Sequence, residues 1–284
     1  MATALTRREA LGGILAGATI GIGSAKAADD TLARLRQAKR VKVALADNPP
    51  YSGITPDGSV TGIAPTIVHI IMGRLGVTDM EAAVAPYGQL IPGLQAGRWD
   101  IIAACLTITK ERCQEVAYAD PIVADGGVFI YVPTDLTKPP HSVAELASMG
   151  LTVITSQGSY TAKRSLNAGV ASSSIIQVPD LSAEVDALAA KRGQVVYTTY
   201  YGALQKLDEQ PDKFKLVYPI PDDLPHGSSA AFRPTDATLR DAFQHELRAM
   251  KQSGEFKQLA ERFHFPPTTE LLNATAEQEC SKAT

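Results

Sequence analysis

The chain has 284 residues, of which 45% are hydrophobic and 20% charged, with 27 basic against 30 acidic side chains and a formal net charge of −3. This composition excludes a disordered chain and a disulfide-dense miniprotein, and the weak negative charge gives no electrostatic reason to expect a nucleic acid partner. The length accommodates two lobes or two domains.

Residues 1–27 read as an export leader outside the fold. Thr6-Arg7-Arg8 supplies a basic start, residues 10–23 a short apolar stretch rich in Gly and Ala, and Ala25-Lys26-Ala27 a small-residue cleavage site. The paired arginines in Thr6-Arg7-Arg8-Glu9-Ala10-Leu11 look like a twin-arginine signal, with a general secretory signal as the alternative. The apolar stretch is short for a membrane anchor, and no cysteine follows it for lipid attachment, so the mature chain is expected free in a periplasm. Arg7, Arg8 and Lys26 against Glu9 carry +2, which leaves the remainder at −5.

After a polar amphipathic segment at 30–40, a strand over 41–46 leads into the turn Asp47-Asn48-Pro49-Pro50-Tyr51, and Pro56-Asp57-Gly58 closes a hairpin that ends near Gly62. A helix over 64–75, a strand over 81–85, a helix over 87–96 and a strand over 99–104 follow. A second unit of similar grammar starts near Gly127, with strands at 128–132, 151–155 and 194–198 and helices at 141–148, 160–167 and 182–190. The last part has a strand at 229–232, a long amphipathic helix at 236–253 closed by Gly254, and a helix at 255–263. Alternation of this kind predicts an α/β fold in two lobes with mostly parallel sheets and a cleft between them. The expected division is 28–126 for the first lobe, 127–225 for the second, and 226–284 returning to the first.

Arg112 is the residue that points to chemistry. Thr107 or Thr109 is a suitable N-cap for a helical segment at 110–115, which would set Arg112 in a first turn, where the helix dipole disfavours a cation. An anion shared between its guanidinium and free backbone N–H groups would resolve that conflict; a surface arginine paired with an acid is the alternative. Three cysteines remain after the leader, Cys105, Cys113 and Cys280, with neither a CxxC motif nor a Cys/His cluster to suggest a metal, and no cofactor is expected. Export favours one disulfide, and Cys113 with Cys280 is the preferred pair because Cys105 sits in the apolar strand; three unpaired thiols stay open.

An ordered set of segments resembles the family 3 periplasmic solute-binding proteins, the receptors of polar amino-acid ABC transporters. It comprises Pro49-Pro50-Tyr51, Asp57-Gly58, Gly62, Tyr87 through Asp100, Leu106 through Arg112, Tyr118-Ala119-Asp120-Pro121, Gln157-Gly158-Ser159 and Lys251 through Phe256, spanning nearly the whole mature chain. Within the family, Asn48-Pro49-Pro50-Tyr51, Gly62-Ile63-Ala64-Pro65, Pro86-Tyr87-Gly88, Glu111-Arg112-Cys113 and Ala230-Ala231-Phe232-Arg233 look like the ectoine- and hydroxyectoine-binding subgroup, which also resembles this chain in its cysteines at Cys113 and Cys280.

The resemblance implies a type II two-lobed receptor, expected to act as a monomer, that closes over a small zwitterionic solute and delivers it to an inner-membrane ABC permease. Tyr51 and Tyr87 would be aromatic walls for a cationic or delocalised nitrogen, unless they are core tyrosines, and Arg112 would bind the ligand carboxylate with help from the Thr107 backbone. Gly158 and Ser159 would offer N–H and hydroxyl groups from the second lobe. Departures from the pattern concern the nitrogen end. Family receptors usually place an acid about where this chain has Tyr201, and the ectoine subgroup carries an acid at the Asn48 position and an aromatic at the Thr107 position. Asp47 would compensate from one residue away. The competing readings are a secreted enzyme on the same scaffold, of the prephenate or cyclohexadienyl dehydratase kind, and a sensor module. Asp47, Glu111 and His226 form no recognisable acid–base pair for the first, and no transmembrane or kinase segment supports the second.

Overall fold

A computed structural model describes residues 31–282, so the expected leader at 1–27 lies outside the described residues. The strand Arg40–Leu45 pairs in parallel with Asp79–Val84 on one side and Ile101–Thr107 on the other. His226–Phe232 then adds antiparallel to Ile101–Thr107, with Ala117–Tyr118 and Val123–Asp125 along its far edge. Every residue from Ile101 to Leu106 is buried, as an unbroken apolar run requires of a strand covered on both faces. One face packs on helices Ile63–Arg74 and Ala237–Ser253, through residues such as Ile67, Ile71, Phe243 and Leu247; the other packs on helix Tyr87–Gln95 through Leu90 and Leu94.

The second sheet has five strands in the order Ile175–Val178, Val153–Ser156, Val195–Thr199, Gly127–Tyr131, Lys215–Val217. Its first three strands are parallel, and Gly127–Tyr131 runs antiparallel to both of its neighbours. Helix Leu181–Ala189 covers one face with Leu181, Val185 and Leu188. Val143, Leu146 and Leu151 cover the other.

The chain passes between the sheets twice. It leaves the first at Asp125 and enters the second at Gly127, and it returns after Val217 to His226, which pairs with Asp125. Asp223 holds this crossing together: its carboxylate accepts the Gly127 N–H at 2.9 Å, the Tyr197 hydroxyl at 2.5 Å and the Tyr160 hydroxyl at 2.6 Å. A side chain at Gly127 would overlap both Asp223 and the Tyr197 ring, so only glycine fits there.

The C-terminal segment returns to the first sheet. Cys113 and Cys280 form a disulfide with Cα atoms 5.9 Å apart, while Cys105 is a free, buried thiol. Buried Asp120 accepts the Ala276 N–H at 3.2 Å and pairs with Arg248 at 2.9 Å, and Glu279 accepts the Gly227 N–H at 2.9 Å.

One local expectation fails. Instead of a helix at 110–115 there is a three-residue 3-10 turn, Arg112–Gln114, and the strand Ala117–Tyr118 begins almost at once. Thr109 does accept the Arg112 N–H, at 3.3 Å, but so short a turn carries no macrodipole to oppose the guanidinium. The role of Arg112 must rest on its contacts.

Candidate functional site

A narrow cavity of about 30 Å³ lies between the two sheets. Its walls are built where parallel strands end: Thr107 closes Ile101–Thr107, Ser156 closes Val153–Ser156, Thr199 closes Val195–Thr199, and Asn48 follows Arg40–Leu45. Open α/β sheets place ligands at this edge because strand C-termini and the following loops leave polar groups there. Of the residues expected at a site, Asn48, Tyr51, Tyr87, Thr107, Arg112 and Ser159 line this cavity.

Arg112 crosses the cleft. Half-buried, it donates from Nη1 to the Thr107 carbonyl at 3.0 Å and from Nη2 to the Gly158 carbonyl at 3.1 Å, so that it touches both lobes. A guanidinium has five N–H donors in a planar fork, and these two bonds leave the others for a further acceptor. Gly158 meets the first lobe in another way. It adopts φ 70°, a Cβ there would overlap Gly88, and beside it the Gly88 N–H donates to the Gln157 carbonyl at 3.2 Å. The N–H of Gly158 is taken by the Gln177 side chain at 3.2 Å, so this residue meets Arg112 through its carbonyl and does not offer its amide to the cavity. Ser159 caps helix Tyr160–Asn167, its Oγ accepting the Ala162 N–H at 3.1 Å, with the hydroxyls of Thr155 and Thr161 each 3.0 Å away.

The two tyrosines differ. Tyr51 is buried, its ring 5.2 Å from that of Phe265, and its hydroxyl donates to Asp125 and accepts the Tyr201 N–H at 3.2 Å. Burial, then the Asp125 charge, push its pKa far up, so it stays a neutral phenol. Tyr87 is half-buried and its hydroxyl accepts from Asn48 Nδ2 at 3.2 Å, while the Oδ1 of buried Asn48 has no hydrogen-bond partner.

Asp47 and Tyr201 do not reach this cavity. Both line a separate hollow with Pro50, Ile54, Arg262 and His264. Asp47 sits in a bend, where the Asn48 N–H returns to the Ala46 carbonyl at 3.0 Å, and it lines that second hollow while Asn48 lines the cavity. Its carboxyl is pushed up by partial burial and by Asp180, and drawn down by Lys206. The Tyr201 ring instead packs against Phe265 at 4.8 Å and Tyr200 at 5.3 Å.

Two acids in the cavity wall are not among the residues expected from the sequence. Asp125, at the crossing between sheets, has its carboxyl pushed up to about 7 by burial, with Asp223 adding to the effect; the Tyr51 hydroxyl and the backbone N–H groups of Tyr201 and Tyr200 pull the other way. Glu184, on helix Leu181–Ala189, is 1% exposed. Its Oε1 accepts the Ser156 hydroxyl at 2.6 Å and its Oε2 has no partner. Burial pushes its pKa up to about 8 against the opposing hydroxyls of Ser156 and Thr198. A signal was present: Leu181, Glu184, Val185 and Leu188 recur at the spacing of a buried helix face, and a glutamate within that stripe is out of place unless it has a task.

The cavity has donors at one wall and acceptors and rings at another, an arrangement suited to holding a small polar molecule. Among the described residues, no group of three or more His, Cys, Asp or Glu side chains could hold a metal ion, and no helix is long and apolar enough to cross a membrane.

Known proteins share both sequence and fold with the chain. Residues 41–266 match the model of the bacterial extracellular solute-binding proteins, family 3. A probable amino-acid ABC transporter periplasmic-binding protein, y4tE of Sinorhizobium fredii (strain NBRC 101917 / NGR234), is 27% identical over 261 residues, covering 88% of this chain and 86% of its own. The crystal structure of EhuB in complex with hydroxyectoine superposes with a TM-score of 0.86 at 32% identity, over 90% of this chain and 100% of that one. A mutant of ArgBP from T. maritima superposes at 0.74 with 22% identity, over 82% and 98% of the two chains, and shares the fold. The type II two-lobed architecture, the cavity at its strand ends and the match over most of the length together place this chain among the bacterial extracellular solute-binding proteins, family 3, as a protein that binds a substrate and does not transform it.

Proposed function

We propose that the chain is the periplasmic receptor of an ABC importer and that its solute is a small carboxylated, nitrogen-containing molecule, an amino acid or an ectoine-like compatible solute. The observation that carries this reading is Arg112, which keeps guanidinium N–H groups free at a cavity whose other walls present the Tyr51 and Tyr87 rings. The carboxylate sits at Arg112 beside Thr107, and the nitrogen end faces the tyrosines and Asn48. The similar proteins support the class: EhuB was crystallised with hydroxyectoine, and y4tE is named as an amino-acid transporter's binding protein.

The receptor is secreted through the leader at 1–27, cut after Ala27, acts as a monomer in the periplasm and hands its solute to an inner-membrane permease. Its lobes are 28–126 and 127–225, with 226–284 returning to the first; the distribution of strands between the two sheets supports this division. Contacts from both lobes to one ligand favour the closed form by their differential affinity.

Thermal-shift screening of the purified protein against ectoines, betaines, imino acids, opines and ordinary amino acids tests the reading. At least one carboxylated zwitterion is expected to raise the melting temperature, and Arg112→Ala to abolish the shift. A shift that survives the substitution removes the carboxylate from Arg112.

A further inference from the structure

Glu184 has no structural explanation that uses both of its oxygens. It comes from the buried face of a helix and lies 1% exposed in the cavity wall; its Oε1 accepts the Ser156 hydroxyl at 2.6 Å, and the Thr198 hydroxyl and Ser156 N–H also bear on the carboxyl. Oε2 is buried without a donor, which is costly for a carboxyl group in low dielectric and is tolerated where a ligand supplies the missing partner. Asp125 is the other acid in the wall, but the Tyr51 hydroxyl and backbone N–H groups already engage it. Asn48, from the first lobe, presents a second acceptor in the same cavity, Oδ1, which also lacks a donor. Two unsatisfied acceptors from opposite lobes therefore share one cavity with two tyrosines and Arg112.

We infer that Glu184 is the recognition group for a hydrogen-bearing cationic nitrogen, so that the receptor takes carboxylated ammonium or amidinium compounds and discriminates against their fully N-alkylated counterparts. This rests on the proposed ligand class and adds to it the residue and the rule that select within the class. An N–H donor completes Oε2 and brings a positive charge to the carboxylate. A quaternary nitrogen brings the charge but leaves the acceptors of Glu184 and Asn48 dry and unpaired, and sites built to hydrogen-bond a group reject the analogue lacking it far more strongly than an apolar pocket rejects an extra methylene. The preference is set by the second lobe, from helix Leu181–Ala189, whereas Arg112 holds the carboxylate that every member of the class shares.

Isothermal titration calorimetry with matched ligand pairs tests it: proline against N,N-dimethylproline, N-methylglycine against trimethylglycine, with ectoine as an amidinium probe. The full mature chain is compared with Glu184→Gln, Glu184→Leu and Arg112→Ala, and unfolding of each unliganded variant reports on folding. Wild type is expected to bind the N–H member of a pair at least about 30-fold more tightly than its methylated partner. Glu184→Gln and Glu184→Leu collapse that ratio, whereas Arg112→Ala weakens both members alike and preserves it. A wild type that binds the methylated partner equally well or better overturns the assignment without recourse to any variant. Retention of the ratio in both Glu184 variants also overturns it. Loss of the ratio in the Glu184 variants with no effect of Arg112→Ala sinks the carboxylate site and leaves the Glu184 assignment standing; failure of every pair to bind overturns both.

Discussion

Gly158→Ala isolates the contact that shuts the cleft. The substitution has two costs. The first is local: Gly158 lies at φ 70°, where an L side chain costs about 1–2 kcal/mol whether the lobes are together or apart. The second exists only with the lobes together, because the new Cβ would overlap the Cα and N of Gly88. Relieving that overlap separates Gly158 from Gly88 and breaks two bonds across the cleft, Arg112 to the Gly158 carbonyl at 3.1 Å and Gly88 N–H to the Gln157 carbonyl at 3.2 Å. With about 1.5–3 kcal/mol for the charged bond and about 0.5–1.5 for the neutral one, the closed form weakens by about 2–4.5 kcal/mol. Ligand affinity should then fall roughly 30- to 2,000-fold. Gly97→Ala is the control for the first cost, since Gly97 has φ 69° and nothing within 4 Å of the point its Cβ would occupy. Gly88→Ala is the control for position: its Cβ would stand 3.4 Å from Gly158 Cα, an ordinary contact, and affinity should change less than about threefold. Calorimetry with a zwitterion that stabilises wild type reads all three. A Gly158→Ala protein that binds within about threefold of Gly97→Ala refutes the role of this contact in closure.

Glu184→Gln should stabilise the unliganded protein increasingly as pH rises. The folded carboxyl, pushed up to about 8 by burial, binds its proton more tightly than the unfolded one, so its stabilisation is fully present below the ordinary glutamate range and is lost as pH climbs through about 8. Urea unfolding at pH 5 and pH 8.5 should show the variant gaining on wild type by about 2–4 kcal/mol between the two; a constant difference would refute the shift. Tyr51→Phe removes the hydroxyl that lowers the Asp125 pKa, so Asp125 should titrate above about 7, read by carbon NMR of labelled aspartate; a value that stays or falls contradicts the hydrogen bond. Cys280→Ser opens a link across 167 residues and frees the segment whose Glu279 holds the Gly227 N–H; a loss of about 2–5 kcal/mol in unfolding is expected, and an unchanged midpoint would show that the tail is held by other contacts.

Much of the architecture is legible in the chain because it rests on local patterns. The apolar run 101–106, the amphipathic stripe of Ala237–Ser253 and the glycine at 254 with φ 83° are each decided within a few residues. Short strands such as Val123–Asp125 and Lys215–Val217 are not legible, since two or three residues carry no readable period and gain their structure from the strand beside them. The helix expected after Thr109 fails for a related reason: a disulfide at Cys113 and a strand from Ala117 leave no room to propagate one.

The site divides along the same line. Order of motifs in the chain determined the family and marked Arg112, Tyr51, Tyr87 and Asn48, because each follows a strand or opens a turn whose signals are local. Tertiary structure alone decided that Arg112 reaches carbonyls of both lobes, that Asp47 and Tyr201 face a different hollow, and that Glu184, 72 positions beyond Arg112, completes the same cavity. Periodicity says which side of its own helix or strand a residue occupies. Which residues from the two lobes then meet is set by the sheet order and the two crossings near Gly127 and His226, and no local pattern contains that information.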